Sequence, residues 1–371
     1  MIATEVKHLT EADQLKQAFC KAIVAVAKQI PQKPTLAILE QVAPYVPHIS
    51  EVAANLHTWL IDEDLIIPFN GIASFHEGRA AYTEAIYWSE ICRERAEIRL
   101  GKNHPNTATS LNNLALLYAF MGRYGEAESL YLRSVEIYET QLGKNDPSIV
   151  PSLNNLAALY KSMECYGEAE SLFLRSLRIL KTQLNCDLTD IALCLNNLAL
   201  LYQSMERYDK VESLYLESLH IFEPQLGEDH SDIAGVLNNL ATFYKLMGRY
   251  DEAGTLYVRS LHIIETQLGA NHIDAARSLN NLAELCESME WYSYAEPLYL
   301  KSLEILAKLP VKDHPYAEIA CGHFRYLLQQ ALANGRTAEL SNHPLTQQLL
   351  QEIIKLQLDN ELKYIESRNL T

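Results

Sequence analysis

One string recurs through the middle of this chain and limits its fold more than any other property. Leu-Asn-Asn-Leu-Ala begins at Leu111, Leu153, Leu195, Leu237 and Leu279, each 42 residues after the last. The register holds outside the string too. Five Met (Met121, Met163, Met205, Met247, Met289), five Tyr (Tyr124, Tyr166, Tyr208, Tyr250, Tyr292) and five Ser (Ser134, Ser176, Ser218, Ser260, Ser302) each keep one phase of the period. Units copied without slippage stack in fixed geometry, so the chain reads as a solenoid. Its 371 residues would allow two ordinary domains on length alone, but the repeat makes it one solenoid.

Within a unit, Leu111, Leu114, Ala115 and Tyr118 fall at i, i+3, i+4 and i+7, the spacing of a helix with one buried stripe, here helix A. After a break at Met121-Gly122-Arg123, a second periodic run holds Ala127, Leu130, Tyr131, Ser134, Val135 and Tyr138 and closes near Gly143, a C-cap glycine. That is helix B. The junction Lys144-Asn145-Asp146-Pro147 supplies a turn residue and a Pro fit for a first helical turn. Small residues such as Ala115, Ala127 and Ser134 let the two helices approach, and Tyr118, Tyr124 and Tyr131 fill the space between them. A repeated Tyr position accounts for 21 Tyr against 8 Phe and 3 Trp, and long helices account for only 14 Gly and 13 Pro.

Leu111, Leu114-Ala115, Tyr118, Ala127, Tyr131 and Ser134 resemble the signature of the tetratricopeptide repeat. The 42-residue length, with Leu-Asn-Asn-Leu-Ala in helix A, Gly-Arg-Tyr-x-Glu-Ala opening helix B and Leu-Gly-x-x-His/Asp-Pro at the junction, is similar to the kinesin light chain type. The resemblance spans Asn103 to about Leu309, five whole repeats, and implies an all-α fold: a tetratricopeptide right-handed superhelical solenoid of helix-turn-helix repeats. Ala81 to Ala85 and Arg99 to Asn103 match helix B and the junction of a divergent first repeat, with Phe69 to Ala73 a degraded helix A. Asp313-His314-Pro315 is a full junction, followed by Cys321-Gly322-His323-Phe324-Arg325 where the Asn-Asn string would stand. The expected organisation is an N-terminal helical cap over 1–61, with one helix near Glu11 to Gln29. Six repeats follow over 62–313, then a degenerate repeat and a capping helix, Leu345 to about Ser367, within 314–371. Residues 1–60 contain no sustained heptads of the kind by which kinesin light chains engage a motor chain, so no motor attachment is expected.

Stepping 100° per residue from the buried stripe places the second Asn of each string about 150° away and the first about 110° away. In a tetratricopeptide superhelix helix A lines the concave face. The resemblance therefore puts Asn113, Asn155, Asn197, Asn239 and Asn281 along a groove as a ladder, beside the row Asn112, Asn154, Asn196, Asn238 and Asn280. An Asn amide both donates and accepts, so a row of them can pair with the backbone of an extended peptide. The same side chains could instead bond neighbouring helices and set the superhelix pitch, a role more natural for the first Asn of each pair. Groove positions that vary between repeats include Phe120, Lys161, Gln203, Thr242, Lys245, Arg277, Glu284 and Glu287. They give apolar character early and acidic character late, and only Lys161, Lys245 and Arg277 are basic.

Other patterns have plainer readings. His104, His230, His272 and His314 share one phase but sit on separate junctions without ligand-spaced partners, so they read as turn chemistry and no metal or other cofactor is expected. Arg133, Arg175, Arg259 and Lys301 share one helix B position, interrupted by Glu217, and read as outer or inter-repeat salt bridges rather than a phosphate site. There is no G-x-x-x-x-G-K-[ST], no G-x-S-x-G and no H-E-x-x-H, and Cys321 with His323 lie on different sides of a helix, so no enzyme activity is expected. Seven scattered Cys without a C-x-x-C pair read as reduced thiols, and no apolar run reaches membrane-spanning length, which points to a cytoplasmic protein. A balance of 31 Lys+Arg against 47 Asp+Glu, net −16, argues against nucleic acid and anionic membrane as partners.

The expected function is a non-catalytic interaction scaffold whose concave groove binds an extended peptide or a partner protein's segment. A self-associating module is the alternative, its groove filled by its own terminal helix or by another copy in a homo-oligomer. An undetected enzyme or enzyme regulator is the remaining class.

Overall fold

A computed structural model describes residues 10–32, 34–183, 187–308 and 315–369; Cys186 and His314 lie outside them. The described residues form seventeen α-helices joined by turns and short 3-10 segments, and among them no helix is long and apolar enough to cross a membrane. They fall into two compact units, 1–236 and 237–371.

Unit 1 begins with α1 (Glu11–Ala27), α2 (Leu36–Val42), α3 (Val46–Ala54), α4 (Ile67–Gly78) and α5 (Tyr82–Arg99). Their shared core contains Cys20, Ile23, Val24, Ile49, Val52, Phe69, Ile72 and Cys92. Helix pairs follow: α6 (Pro105–Phe120) with α7 (Tyr124–Gln141), α8 (Val150–Ser162) with α9 (Tyr166–Thr182), and α10 (Leu188–Ser204) with α11 (Val211–Leu226). The division between the units lies inside α12 (Ser231–Leu246). Unit 2 continues through α13 (Tyr250–Gln267), α14 (Ile273–Ser288), α15 (Tyr292–Lys308), α16 (Pro315–Ala333) and α17 (Pro344–Asn369).

The local chemistry that makes the pairs repeats with the sequence. His104, His230 and His272 each accept a backbone N–H two residues on through Nδ1, so these three shared-phase histidines are helix N-caps. Helix A ends in a Schellman turn, in which the Arg123 N–H reaches back to Tyr118 O at 2.8 Å across Gly122 at φ 74°. Gly248 occupies the same left-handed position, but Ala80, Glu164, Glu206 and Glu290 do so as well, at φ 55–61°. In those units the turn is imposed on residues that disfavour it.

Helix B is tied to helix A by more than small-residue packing. The Ser134 hydroxyl donates to Ala108 O at 2.8 Å, Ser218 to Ala192 O at 2.7 Å and Ser302 to Ala276 O at 2.8 Å. Residues read as spacers are thus also buried hydrogen-bond donors. The hydroxyl of Ser176 is buried without a partner, in the one pair whose helix A opens on Val150-Pro151 after a 3-10 turn. Between repeats, Arg133 pairs with Glu97 at 2.7 Å, Arg175 with Glu139 at 2.8 Å and Lys301 with Glu265 at 2.9 Å, as their shared phase suggests.

At the C-terminal end, Leu349, Leu350 and Ile353 of α17 pack on Phe324, Leu327, Leu328 and Ala331 of α16. The start of α17 is pinned by Glu296, 2% exposed, whose carboxylate accepts from Ser341 N, Ser341 Oγ and Thr346 Oγ1, each at 2.6 Å. The apolar residues Ile354, Leu356 and Leu358 remain exposed.

Candidate functional site

Each unit has its own A-helix face, α6, α8 and α10 in unit 1 and α14 and α16 in unit 2, with α12 between them in sequence. On α6, α8, α10, α12 and α14 periodicity carries the Asn pair to the same place, the first Asn nearer the core and the second half-buried, while α16 has Gly322-His323 there. Asn112, Asn196 and Asn280 are 6%, 8% and 1% exposed, while Asn154 and Asn238 are half-buried. Asn113, Asn155, Asn197, Asn239 and Asn281 are all half-buried.

The two rows, read separately from the sequence, are interlaced. Asn155 Nδ2 donates to Asn112 Oδ1 of the preceding repeat at 3.1 Å, and Asn281 Nδ2 donates to Asn238 Oδ1 at 3.1 Å. Asn112 Nδ2 donates to Asn113 Oδ1 at 3.3 Å, and Asn196 Nδ2 to Asn197 Oδ1 at 3.4 Å. The ladder is therefore partly spent on its own rungs. Asn154 departs from this pattern in unit 1: its Oδ1 is buried with no partner, and the amide of Asn197, which would reach it in the Asn155 manner, makes no such bond. Asn280 Oδ1 in unit 2 is also buried and unpartnered.

The three cations differ just as sharply. Lys161 on α8 is half-buried and makes no ion pair or hydrogen bond among the described residues, and burial lowers its pKa. Lys245 donates to Glu284 Oε2 at 2.8 Å. Arg277 is exposed and paired with Asp274 at 3.2 Å. Glu284 is itself a hub, since its other oxygen lies 2.7 Å from Asn280 Nδ2 and 2.8 Å from His323 Nδ1. His323 was not a candidate from its spacing; only its position on α16 beside α14 brings it to the face.

In each unit buried tyrosines reach the A-helix face from behind. Tyr215 OH donates to Gln203 Oε1 at 3.3 Å, Tyr299 OH donates to Glu287 Oε2 at 2.9 Å, and Tyr257 OH shares a hydrogen with Thr242 Oγ1 at 2.8 Å. Each of these helix B residues runs through the core and holds a variable groove residue by its hydroxyl. The carboxyl of Glu287 is raised by burial, against which the Tyr299 bond acts. At the same phase in the α8–α9 pair stands Phe173, with no hydroxyl, so Lys161 lacks the tyrosine contact that Gln203 and Glu287 have at its phase. The coincidence of phase between these tyrosines and the groove positions was present in the sequence as a signal; their reach across the core was not.

These arrangements sit on a recognised architecture. The tetratricopeptide repeat family model matches residues 64–140, 148–223 and 232–317. No match was found among curated proteins. Among solved structures, the chain is similar to a Rap protein complexed with Competence and Sporulation Factor, at 14% identity over 87% of this chain and 99% of that one, with TM-score 0.55. It is similar to NprR in complex with its cognate peptide NprX, at 14% identity over 95% and 91%, with TM-score 0.55. A Podosopora anserina putative kinesin light chain with nearly identical TPR-like repeats matches at 24% identity over 56% and 98%, with TM-score 0.43.

Proposed function

The chain belongs to the tetratricopeptide repeat family, and from that premise we propose that it is a non-catalytic interaction scaffold whose A-helix face in unit 1 binds an extended, acidic peptide segment of a partner protein. The observation that carries the reading is Lys161. A half-buried ammonium without a counter-charge is unfavourable unless something completes it, and a carboxylate from a bound segment is the simple complement. Asn154 Oδ1 and the amide of Asn197 are free in the same unit and offer an acceptor and a donor to a peptide backbone. One protein of similar fold, NprR, is named for a complex with its cognate peptide NprX, and a Rap protein for a complex with Competence and Sporulation Factor, which supports a peptide as ligand class. Of the six repeats over 62–313, those in unit 1 would form the recognising element, and the segments on either side of the repeats would act as caps.

The test is selection from a library of linear peptides against the full chain, followed by affinity measurement on Lys161→Met and Asn197→Ala. Selected peptides should carry a carboxylate, and each variant should bind them about tenfold more weakly, which is 1.4 kcal/mol, with the melting temperature held. Asn155 is a poorer probe because its amide already serves Asn112. Selection of neutral peptides whose affinity ignores Lys161 would sink the reading.

A further inference from the structure

The N-terminal part of unit 1 carries a second unsatisfied feature that involves none of the groove residues. Arg95 and Arg99 lie one turn apart near the end of α5, so both guanidinium groups leave the helix on one side. Arg99 is engaged by the segment between α3 and α4: its Nε donates to Asp62 Oδ1 at 2.8 Å, and its terminal nitrogens donate to His57 O at 2.9 Å and Leu60 O at 2.6 Å. Arg95 is not engaged. It is half-buried, its Nε is sealed from solvent without an acceptor, and among the described residues it has no ion pair. His57 Nδ1 is likewise buried without a partner. Burial lowers the His57 pKa and the Arg95 charge lowers it further, the Ala54 backbone acts the other way, and Arg99 adds a smaller lowering, so the ring stands in the field of both guanidinium groups.

Buried polar groups are nearly always satisfied, and two orphans side by side, one of them on a cation, call for one shared partner. Of the acidic side chains in the segment that holds Arg99, Asp62 is held by Arg99 and Asp64 by Lys28 at 2.9 Å, while Lys16 lies over the Trp59 ring at 5.0 Å.

We propose that Arg95 and His57 form an oxyanion-binding notch that takes a carboxylate or phosphate group, gripped through the free end of the Arg95 guanidinium with His57 beside it. The planar fork of an arginine matches two oxygens of either group, which a lysine cannot do. Arg99, fixed by its three acceptors, adds charge without competing for the ligand. Carboxylate and phosphate share this chemistry, and the source would be a side chain of a partner or a free phosphate compound.

The experiment follows the His57 ring signals of the full chain by NMR during titration with inorganic phosphate and, separately, with acetate, against chloride at equal ionic strength. A saturable shift is expected, weakened about tenfold in Arg95→Gln and unchanged in Arg178→Gln, an exposed arginine on α9. Because Arg95 has no protein partner to lose, Arg95→Gln should melt with the wild type. Should it melt early, Arg95→Lys, which keeps the charge but not the fork, must still bind more weakly. Saturation by phosphate alone assigns a phosphate ligand, and saturation by both assigns a carboxylate-compatible one. A shift that never saturates, or that survives in the arginine-95 variants, overturns the proposal.

Discussion

The A-helix faces of the two units are built from the same Asn-Asn string and the same helix-pair geometry, yet they end in opposite electrostatic states. Lys161 in unit 1 and Lys245 in unit 2 occupy one phase of the repeat. The first is half-buried and alone; the second is neutralised by Glu284, which also gathers Asn280 and His323. Behind Lys161 the helix B position is Phe173, whereas behind Glu287, at the Lys161 phase in unit 2, it is Tyr299 with its hydroxyl committed. The repeat therefore supplies a framework, and a few substitutions at fixed phases decide whether a given stretch of that framework is closed on itself or open to a ligand. Counting basic residues along the face would have treated the three cations alike. Pairing separates them.

The largest effect should come from breaking the closed side. Glu284→Ala leaves Lys245 without its counter-charge and removes the acceptor shared by Asn280 and His323, and it should lower stability by about 2 kcal/mol, because hydrogen bonds to charged groups in partly buried sites are worth about that much. Urea denaturation of the full chain reads this. The same variant turns Lys245 into an imitation of Lys161, so acidic peptides should gain affinity at unit 2. A loss of stability below about 0.5 kcal/mol, the level of an exposed ion pair, would mean that the hub is surface decoration and that the two faces differ less than their geometry indicates.

A smaller change should close the open side. Phe173→Tyr restores at the α8–α9 pair the hydroxyl that its counterparts carry, and Lys161 is the group available to meet it. We expect affinity for an acidic peptide to fall about threefold, or 0.7 kcal/mol, with stability within about 0.5 kcal/mol because the new hydroxyl is satisfied. If stability drops by more than about 1 kcal/mol, as for an unpaired buried hydroxyl, and peptide affinity is unmoved, the hydroxyl does not reach Lys161, and the absence of Tyr at 173 has no bearing on its availability.

How much of this was legible in the sequence depended on distance along the chain. Features set within one helix or turn were visible, because period and caps act locally: the helix pairs, the closing Gly143 at φ 99°, the capping histidines and the final helix, which begins at Pro344. The inter-repeat pairs Arg133–Glu97 and Arg175–Glu139 were half visible, since a shared phase marked one partner and not the other. The groove's real differences were invisible. Asn155 meets Asn112 and Lys245 meets Glu284 only because successive A helices lie side by side, and the chain separates those partners by 43 and 39 residues. No local pattern states which of two like residues will be paired. The same holds for Glu296, which is buried and holds the entry to α17.

The smallest expected effect sharpens the comparison at the backbone. Glu206 in unit 1 and Glu290 in unit 2 both hold the left-handed turn residue at φ 57°, where two other repeats use Gly. A side chain in that region costs about 1 kcal/mol, partly offset when Gly replaces it because the unfolded chain gains freedom. Glu206 is exposed and makes no ion pair among the described residues, so Glu206→Gly should stabilise the protein by about 0.5 kcal/mol. Glu290 is bonded to Arg336 at 3.0 Å, and losing that surface pair should cancel the gain, leaving Glu290→Gly within about 0.3 kcal/mol of the parent. Differential scanning calorimetry on the two variants separates the cases. Equal gains would show that the turn strain alone matters and that the Arg336 pair contributes nothing, whereas a loss in both would show that the left-handed turn is held by its surroundings so firmly that the residue within it is no longer a source of strain.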